Sequence, residues 1–377
     1  MKIGIVCYPT YGGSGVVATE LGKALAERGH QVHFISYKQP ARLDFFTNNL
    51  FYHEVYVNSY PLFDYPPYET TLTGRLVDVI KFEKLDVLHV HYAIPHASAA
   101  VFAKQILAAE GIHIPIITTL HGTDITLVGK DASITPVVTY SLNMSDAITS
   151  VSQSLKEDTY RLFKVSSPIQ VIPNFIDFDR FSKKPREHFK KAISSQGEKL
   201  LVHTSNFRKV KRVDDVVKAF AIISAQVPSK LLLVGDGPER QHIEMLCREM
   251  NLCDKIIFLG KQDPVEEILS VCDLFMMPSE TESFGLAALE AMACEVPVIS
   301  SNAGGIPELN VDGVTGYLCD VGDYQMMAQR AIELLTNDIK LQSFKHNAKN
   351  RALEFHINHI VPQYEQVYDA VTRAKLA

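Results

Sequence analysis

Short β-rich apolar runs alternate with stretches of helical period along almost the whole chain, and the alternation breaks once. Continuous apolar runs of four to eight residues, each followed by a helical pattern, predict parallel strands buried on both faces and crossed over by helices. In the first half the runs fall at residues 2–7, 31–36, 51–57, 86–91, 115–120, 147–151 and 169–172. The stretch "VIPNFIDFDRFSKKP" then interrupts the pattern with two prolines. Beyond it the alternation restarts, with runs at 199–204, 230–235, 255–259, 274–278, 296–300 and 316–319. The expected organisation is α/β with two doubly wound, Rossmann-like domains, 1–172 and 173–354, joined near residues 173–177. The last helical stretch, 363–375 within a segment of about 355–377, is expected to pack back on the first domain.

Composition narrows the function classes. A chain of 377 residues is long for one domain. With 46% hydrophobic and 21% charged residues it can build ordinary cores. A formal charge of −6 and no long basic run argue against nucleic acid as a partner. No signal pattern and no apolar run near the roughly 20 residues needed to span a bilayer argue against membrane insertion. The six cysteines, Cys7, Cys247, Cys253, Cys272, Cys294 and Cys319, form no C-x-x-C pair. They are expected as reduced core thiols in a cytoplasmic protein. The composition leaves a homo-oligomer open.

After the first strand, Gly13-Ser14-Gly15-Val16-Val17-Ala18 fits the G-x-G-x-x-G/A pattern of dinucleotide-binding proteins. The context does not fit. "YPTYG" separates the strand from Gly13, and the second strand is followed by Tyr37, Lys38, Gln39 and Pro40 rather than by an acid for a ribose. What remains is a glycine-rich loop opening a helix over 16–28, whose amides and positive end can hold an anion. A tight turn without a ligand is the competing reading. In "VLHVHYAIPHA", His89, His91 and His96 suggest a metal, but no acid completes a ligand set, and interior histidines are the expectation.

The stretch "SETESFGLAALEAMACEVPVISSNAGGIPE" carries the most chemistry. Glu282 is expected on a loop beyond a strand end, and Glu290 just over one turn into the following helix. The amides of residues 283–286 between them face the same side. One carboxylate can then hold sugar hydroxyls and the other ribose hydroxyls, with phosphate at the helix N-terminus. A helix start merely enriched in acids is the alternative.

Taken together, this Glu-x7-Glu element, the glycine loop, "HGTD" at 121–124 and "GGIPE" at 304–308 resemble the retaining nucleotide-sugar glycosyltransferases of family 4. The resemblance runs over nearly the whole chain. It implies a GT-B fold, two Rossmann-like domains facing a central cleft, and no bound divalent metal or other cofactor. "HYAIPHA", "TTLHGTDIT", "SNFRKVKR" and "LLLVGDGPE" narrow it to a member that takes UDP-GlcNAc as donor and L-malate as acceptor, at the first step of bacillithiol biosynthesis. By this resemblance Glu290 would hold the ribose, Glu282 the transferred sugar, and Ser283, Phe284, Gly285 and Leu286 would offer amides to sugar and pyrophosphate. Lys211 falls on a diphosphate-binding lysine, but the companion arginine position is Asn206; Arg208 or Asn206 itself would take that place. Gly15 would join the donor site. Gly13, Ser14, Tyr92, His121 and Thr123 are the acceptor candidates, with His121, Lys211 and Glu282 nearest the chemistry. Asp124 is expected to fix its loop. Two other readings stay open: a family 4 enzyme with a different anionic acceptor, such as inositol phosphate, and a UDP-GlcNAc 2-epimerase of similar fold.

Overall fold

The computed structural model describes residues 1–43, 47–57, 64–184 and 186–374. The chain divides into two compact units, Met1–Asn174 with Ile357–Ala377, and Phe175–His356.

Unit 1 is a seven-stranded, all-parallel sheet: β1 (Lys2–Val6), β2 (Gln31–Ser36), β3 (Leu50–Glu54), β4 (Val87–His91), β5 (Ile116–Leu120), β6 (Ala147–Ser150) and β7 (Ile169–Val171). The spatial order is β3-β2-β1-β4-β5-β6-β7. Its helices are α1 (Gly13–Glu27), α2 (Tyr68–Glu83), α3 (Ser98–Ala109), α4 (Thr135–Asn143) and α5 (Gln153–Leu162). Unit 2 repeats the plan with six parallel strands, β8 (Lys199–Ser205), β9 (Ser229–Gly235), β10 (Ile256–Gly260), β11 (Leu274–Met277), β12 (Val298–Ser301) and β13 (Gly316–Cys319), in the order β10-β9-β8-β11-β12-β13. Its helices are α6 (Glu187–Ile193), α7 (Val213–Ser224), α8 (Arg240–Glu249), α9 (Glu266–Leu269), α10 (Leu286–Ala293), α11 (Tyr324–Leu335) and α12 (Asp338–Leu353).

In each sheet the strand order reverses once, between β1 and β4 and between β8 and β11. Because parallel crossovers are right-handed, helices on the two sides of that point cover opposite faces of the sheet. The loops leaving the two adjacent strands therefore part, and an open crevice remains beyond their carboxyl ends. The crevice strands are apolar because both faces are covered: every residue of β4, β5 and β11 is buried.

The last helix, α13 (Ile357–Ala374), belongs to unit 1 and buries Ile360, Val361, Tyr364, Val367 and Tyr368. It starts six residues earlier than its periodicity predicts, and Lys375, the expected end, lies outside the described residues. Its polar anchors are specific. Glu365 accepts hydrogen bonds from Arg28 (2.7 Å) and pairs with His30 at 3.0 Å. The Tyr368 hydroxyl lies 2.8 Å from His89 Nδ1, and the other ring nitrogen of His89 meets Thr119 at 2.6 Å. His89 is fully buried, so both its nitrogens need these partners.

Removing the hydroxyl in Tyr368→Phe leaves one His89 nitrogen without its partner inside the core. The expected cost is about 1–3 kcal/mol, seen as a lower urea midpoint with an unchanged denaturant slope. An unchanged midpoint would mean that the bond does not help dock α13.

Candidate active site

Both crevices collect residues that the sequence singled out. In unit 1, the loop after β1 enters α1 at Gly13. The amides of Gly13 and Ser14 are first-turn groups without an intrahelical acceptor. The Gly15 amide donates to Gly12 O at 3.0 Å. Gly15 is a glycine for another reason, since a Cβ there would lie 2.5 Å from the carbonyl oxygens of both Tyr8 and Thr10. Close packing of the loop thus requires glycine at this position.

The Ser14 hydroxyl donates to the Tyr92 hydroxyl at 3.0 Å, joining the loops after β1 and β4. The Tyr92 ring packs 5.3 Å from His121, at the end of β5, and 5.2 Å from Tyr8. Ser14, Tyr92 and His121 therefore line one crevice, with exposed Gly13 and Thr123 on its loops. Asp124 sits beneath them. Its carboxylate accepts the amides of Ala93 (2.8 Å), Gly122 (2.9 Å) and His121 (3.3 Å), tying the β5 loop to the β4 loop. Burial raises its pKa to about 6, against the opposing pull of these amides.

His91, His96 and His121 are linked to one another by hydrogen bonds. His91 Nδ1 lies 2.8 Å from His121 Nε2, and His96 Nδ1 donates to His91 O at 2.5 Å. His91 is only partly satisfied, for its Nε2 is buried without a partner. Burial pushes His121 to about 3, His96 to about 4, and His91 well below the ordinary 6.5. His121 thus presents a neutral imidazole, able to exchange hydrogen bonds with a hydroxyl but not to act as a cation.

In unit 2 the β8 loop carries Asn206 and Arg208, both exposed, then Lys211 in a short 3-10 turn. The sequence did not point to what holds this loop. His203, fully buried on β8, donates through Nδ1 to Met276 O (2.8 Å), so its Nε2 accepts from the Ser205 hydroxyl (2.8 Å). Ser205 Oγ in turn accepts the Phe207 amide at 3.2 Å. Burial brings the His203 pKa to about 4, which keeps this chain in one protonation state near neutrality.

Lys211 Nζ donates to Glu282 Oε2 at 2.5 Å, so two residues 71 apart in sequence meet directly. Both are half-buried, where such a pair is less screened than on an open surface. Arg208 makes no ion pair with any described residue. The Glu282 backbone is clamped by the "GGIPE" loop: Gly305 N donates to Glu282 O at 2.9 Å, and a Cβ on Gly304 would fall 2.0 Å from that oxygen. Gly304 also has φ +57, so the clamp requires glycine twice over. Phe284 buries its ring against Phe355 at 5.5 Å. Gly285 caps α10, and the amides opening that helix are unclaimed by it. Glu290 follows one turn later on α10, half-buried.

Comparison with known proteins places the chain in a family. Residues 11–180 match the family described as Glycosyltransferase Family 4, and residues 184–351 match Glycosyl transferases group 1. The chain is 50% identical over 375 residues to the N-acetyl-alpha-D-glucosaminyl L-malate synthase of Bacillus anthracis, covering 99% of this chain and 98% of that protein. Two solved structures share its fold. Sucrose-phosphate synthase from Thermosynechococcus elongatus has a TM-score of 0.81 at 21% identity, covering 99% of both chains. Anabaena Alr3699/HepE in complex with UDP and glucose has a TM-score of 0.82 at 20% identity, covering 98% of this chain and 99% of that one. The fold is GT-B, built from two Rossmann-like domains.

The buried neutral histidines set the acid limit of this framework. A histidine whose pKa is depressed on folding contributes its full stability above the ordinary 6.5, and loses it as pH falls toward the folded value. For His96 and His203, each at about 4, the loss by pH 5 is roughly 2 kcal/mol apiece. Asp124 acts oppositely, because its raised pKa favours the native state as it protonates; it returns only about 1 kcal/mol between pH 7 and 5. Urea midpoints should therefore fall steadily from pH 7 to pH 5. A flat profile would mean that these histidines carry protons in the native state.

Proposed function

The chain belongs to the family 4 glycosyltransferases, and on that premise we propose that it transfers N-acetylglucosamine from UDP-GlcNAc to the hydroxyl of L-malate with retention at the anomeric carbon. The observation that carries this reading is the 50% identity, over 99% of the chain, with a protein named for that product. We place the reaction in the cytoplasm; among the described residues no helix is long and apolar enough to cross a membrane.

The donor reading rests on unit 2. Glu290 takes the ribose hydroxyls. Glu282, with Oε2 on Lys211, offers Oε1 to a hydroxyl of the transferred sugar. Lys211, held by that pair, is aimed before substrate arrives, and its remaining N–H groups serve the diphosphate. Arg208, without an ion-pair partner, adds charge there, and Asn206 a neutral hydrogen bond. The amides of residues 283–286 complete the anion site at the start of α10.

Unit 1 supports the acceptor reading. The amides of Gly13 and Ser14 and the Ser14 hydroxyl fit one malate carboxylate, while Tyr92, Thr123 and neutral His121 take the remaining polar groups. In the transfer, the bond from the anomeric carbon to the β-phosphate oxygen breaks and a bond to the malate hydroxyl oxygen forms on the same face. The hydroxyl proton passes to the departing phosphate oxygen, so UDP leaves and no side-chain base is required. Lys211 and the helix-end amides stabilise the charge that develops on UDP.

The decisive experiment measures UDP release from UDP-GlcNAc with and without L-malate, with the product mass determined. Malate-dependent release with the mass of the glucosaminyl-malate conjugate is expected; release that ignores malate overturns the acceptor. Glu290→Ala should weaken donor binding by about 1–3 kcal/mol, and unchanged affinity would remove the ribose role. Ser14→Ala should raise the malate KM about fivefold, more than the donor KM. An effect on the donor alone would reassign the glycine loop to phosphate.

A further inference from the structure

A second cluster of chemistry-bearing side chains stands away from both crevices of unit 1 and unit 2, at the outer edge of the seven-stranded sheet. β3 is the edge strand, paired in parallel with β2 in a register that sets His33 opposite Phe51 and Ile35 opposite His53. With a two-residue period, His33 and His53 share one face of the sheet. His33 Nδ1 lies 3.0 Å from His53 Nε2. Glu83, in the last turn of α2, brings a carboxylate to the same place: one ligand atom from each of the three residues falls within 4.8 Å of the others. Among the described residues no other group of three such side chains has this geometry.

Three observations distinguish the cluster from a chance meeting. His33 is 1% exposed, so the nitrogen it turns toward His53 is shielded from bulk water. The Glu83 carboxylate makes no ion pair with any described residue, whereas nearby Arg75 is neutralised by Asp78 at 2.5 Å. A surface pocket of about 330 Å³, lined by His53, Arg75, Asp78, Val79, Phe82 and Glu83, gives a path from solvent.

We propose that His33, His53 and Glu83 form a binding site for one divalent transition-metal ion of the Zn²⁺ class, tying the edge of the seven-stranded sheet to the end of α2. Two imidazoles and a carboxylate are the donor set that borderline first-row ions prefer, and a tetrahedral ion would take its fourth ligand, a water, from the pocket. With ligand bonds of about 2.0–2.1 Å, donor atoms around such an ion lie roughly 3.3 Å apart. The two ring nitrogens are already close to that separation, and the carboxylate must approach by an ångström or so. The hydrogen bond between the rings becomes two metal bonds by tautomer exchange, without net loss of a proton. The site plays no part in the transfer reaction; it closes a sheet edge that would otherwise end in a short, half-exposed strand.

The test titrates the metal-stripped full-length protein with Co²⁺ and with Zn²⁺. The expected result is one equivalent bound with the visible d–d absorption of a four-coordinate Co²⁺ site, bleached by Zn²⁺. In H53A and in E83Q the affinity should fall about tenfold or more, since even a lost outer-shell partner costs that much. Sugar transfer in both variants should match the parent, which also shows that they fold. If H53A does not fold, E83Q carries the test, because its side chain is half-exposed. Uptake without the absorption band, or uptake unaltered in the folded variants, overturns the proposal.

Discussion

The reversal of strand order between β1 and β4, and again between β8 and β11, is the constraint on which both candidate sites depend. Right-handed crossovers oblige the helices to leave one strand for one face and its neighbour for the other. That leaves a crevice at the carboxyl edge which backbone sterics alone keep open. Gly13 and Ser14 follow β1, and Tyr92 follows β4; Asn206, Arg208 and Lys211 follow β8, and Glu282 to Leu286 follow β11. Residues as far apart as Lys211 and Glu282 are brought within 2.5 Å because their strands are neighbours in space, not in sequence.

Polar groups beneath these loops do structural work in a low-dielectric setting. Asp124 gathers three amides from two loops, and His203 links Met276 to Ser205. A buried polar group with partners at each position fixes a loop more sharply than apolar packing, because a misplaced loop would strand it at about 1–3 kcal/mol. The same burial holds the imidazoles neutral. Acid therefore works first against His203 and the other buried imidazoles, whereas Asp124, with its raised pKa, favours the native state as it protonates.

Much of this was legible. Each of the thirteen strands among the described residues overlaps an apolar run read from sequence; the inner strands stand out because strands covered on both faces have no polar alternation to blur them. The misreadings have physical causes. Helix α13 begins at Ile357 rather than near 363 because it runs through Pro362, where sequence rules place a helix end. The glycine pattern alone does not show that the Gly15 amide closes a turn onto Gly12. Glu282 was visible through its spacing to Glu290, but nothing in sequence shows that its carboxylate meets Lys211 or that Gly304 clamps its carbonyl. His203 and the His33, His53 and Glu83 cluster carry no motif at all, and only strand register and helix packing reveal them.

Under the proposed function the two units would meet their anions by different means, and the charges of the proposed ligands give a reason. A diphosphate leaving group gains negative charge during transfer, so a cation poised beside it stabilises the transition state more than the ground state. Lys211, already oriented by Glu282, suits that task, because the pair keeps the ammonium in place without leaving either charge bare in the absence of substrate. The acceptor carboxylates keep their charge throughout. A fixed cation there would bind ground state and transition state alike and lower KM without quickening the step. Backbone amides at the start of α1, with the Ser14 hydroxyl and a neutral His121, are enough to orient such a ligand. On that proposal the same Rossmann-like frame would carry a charged device where charge changes and a neutral one where it does not.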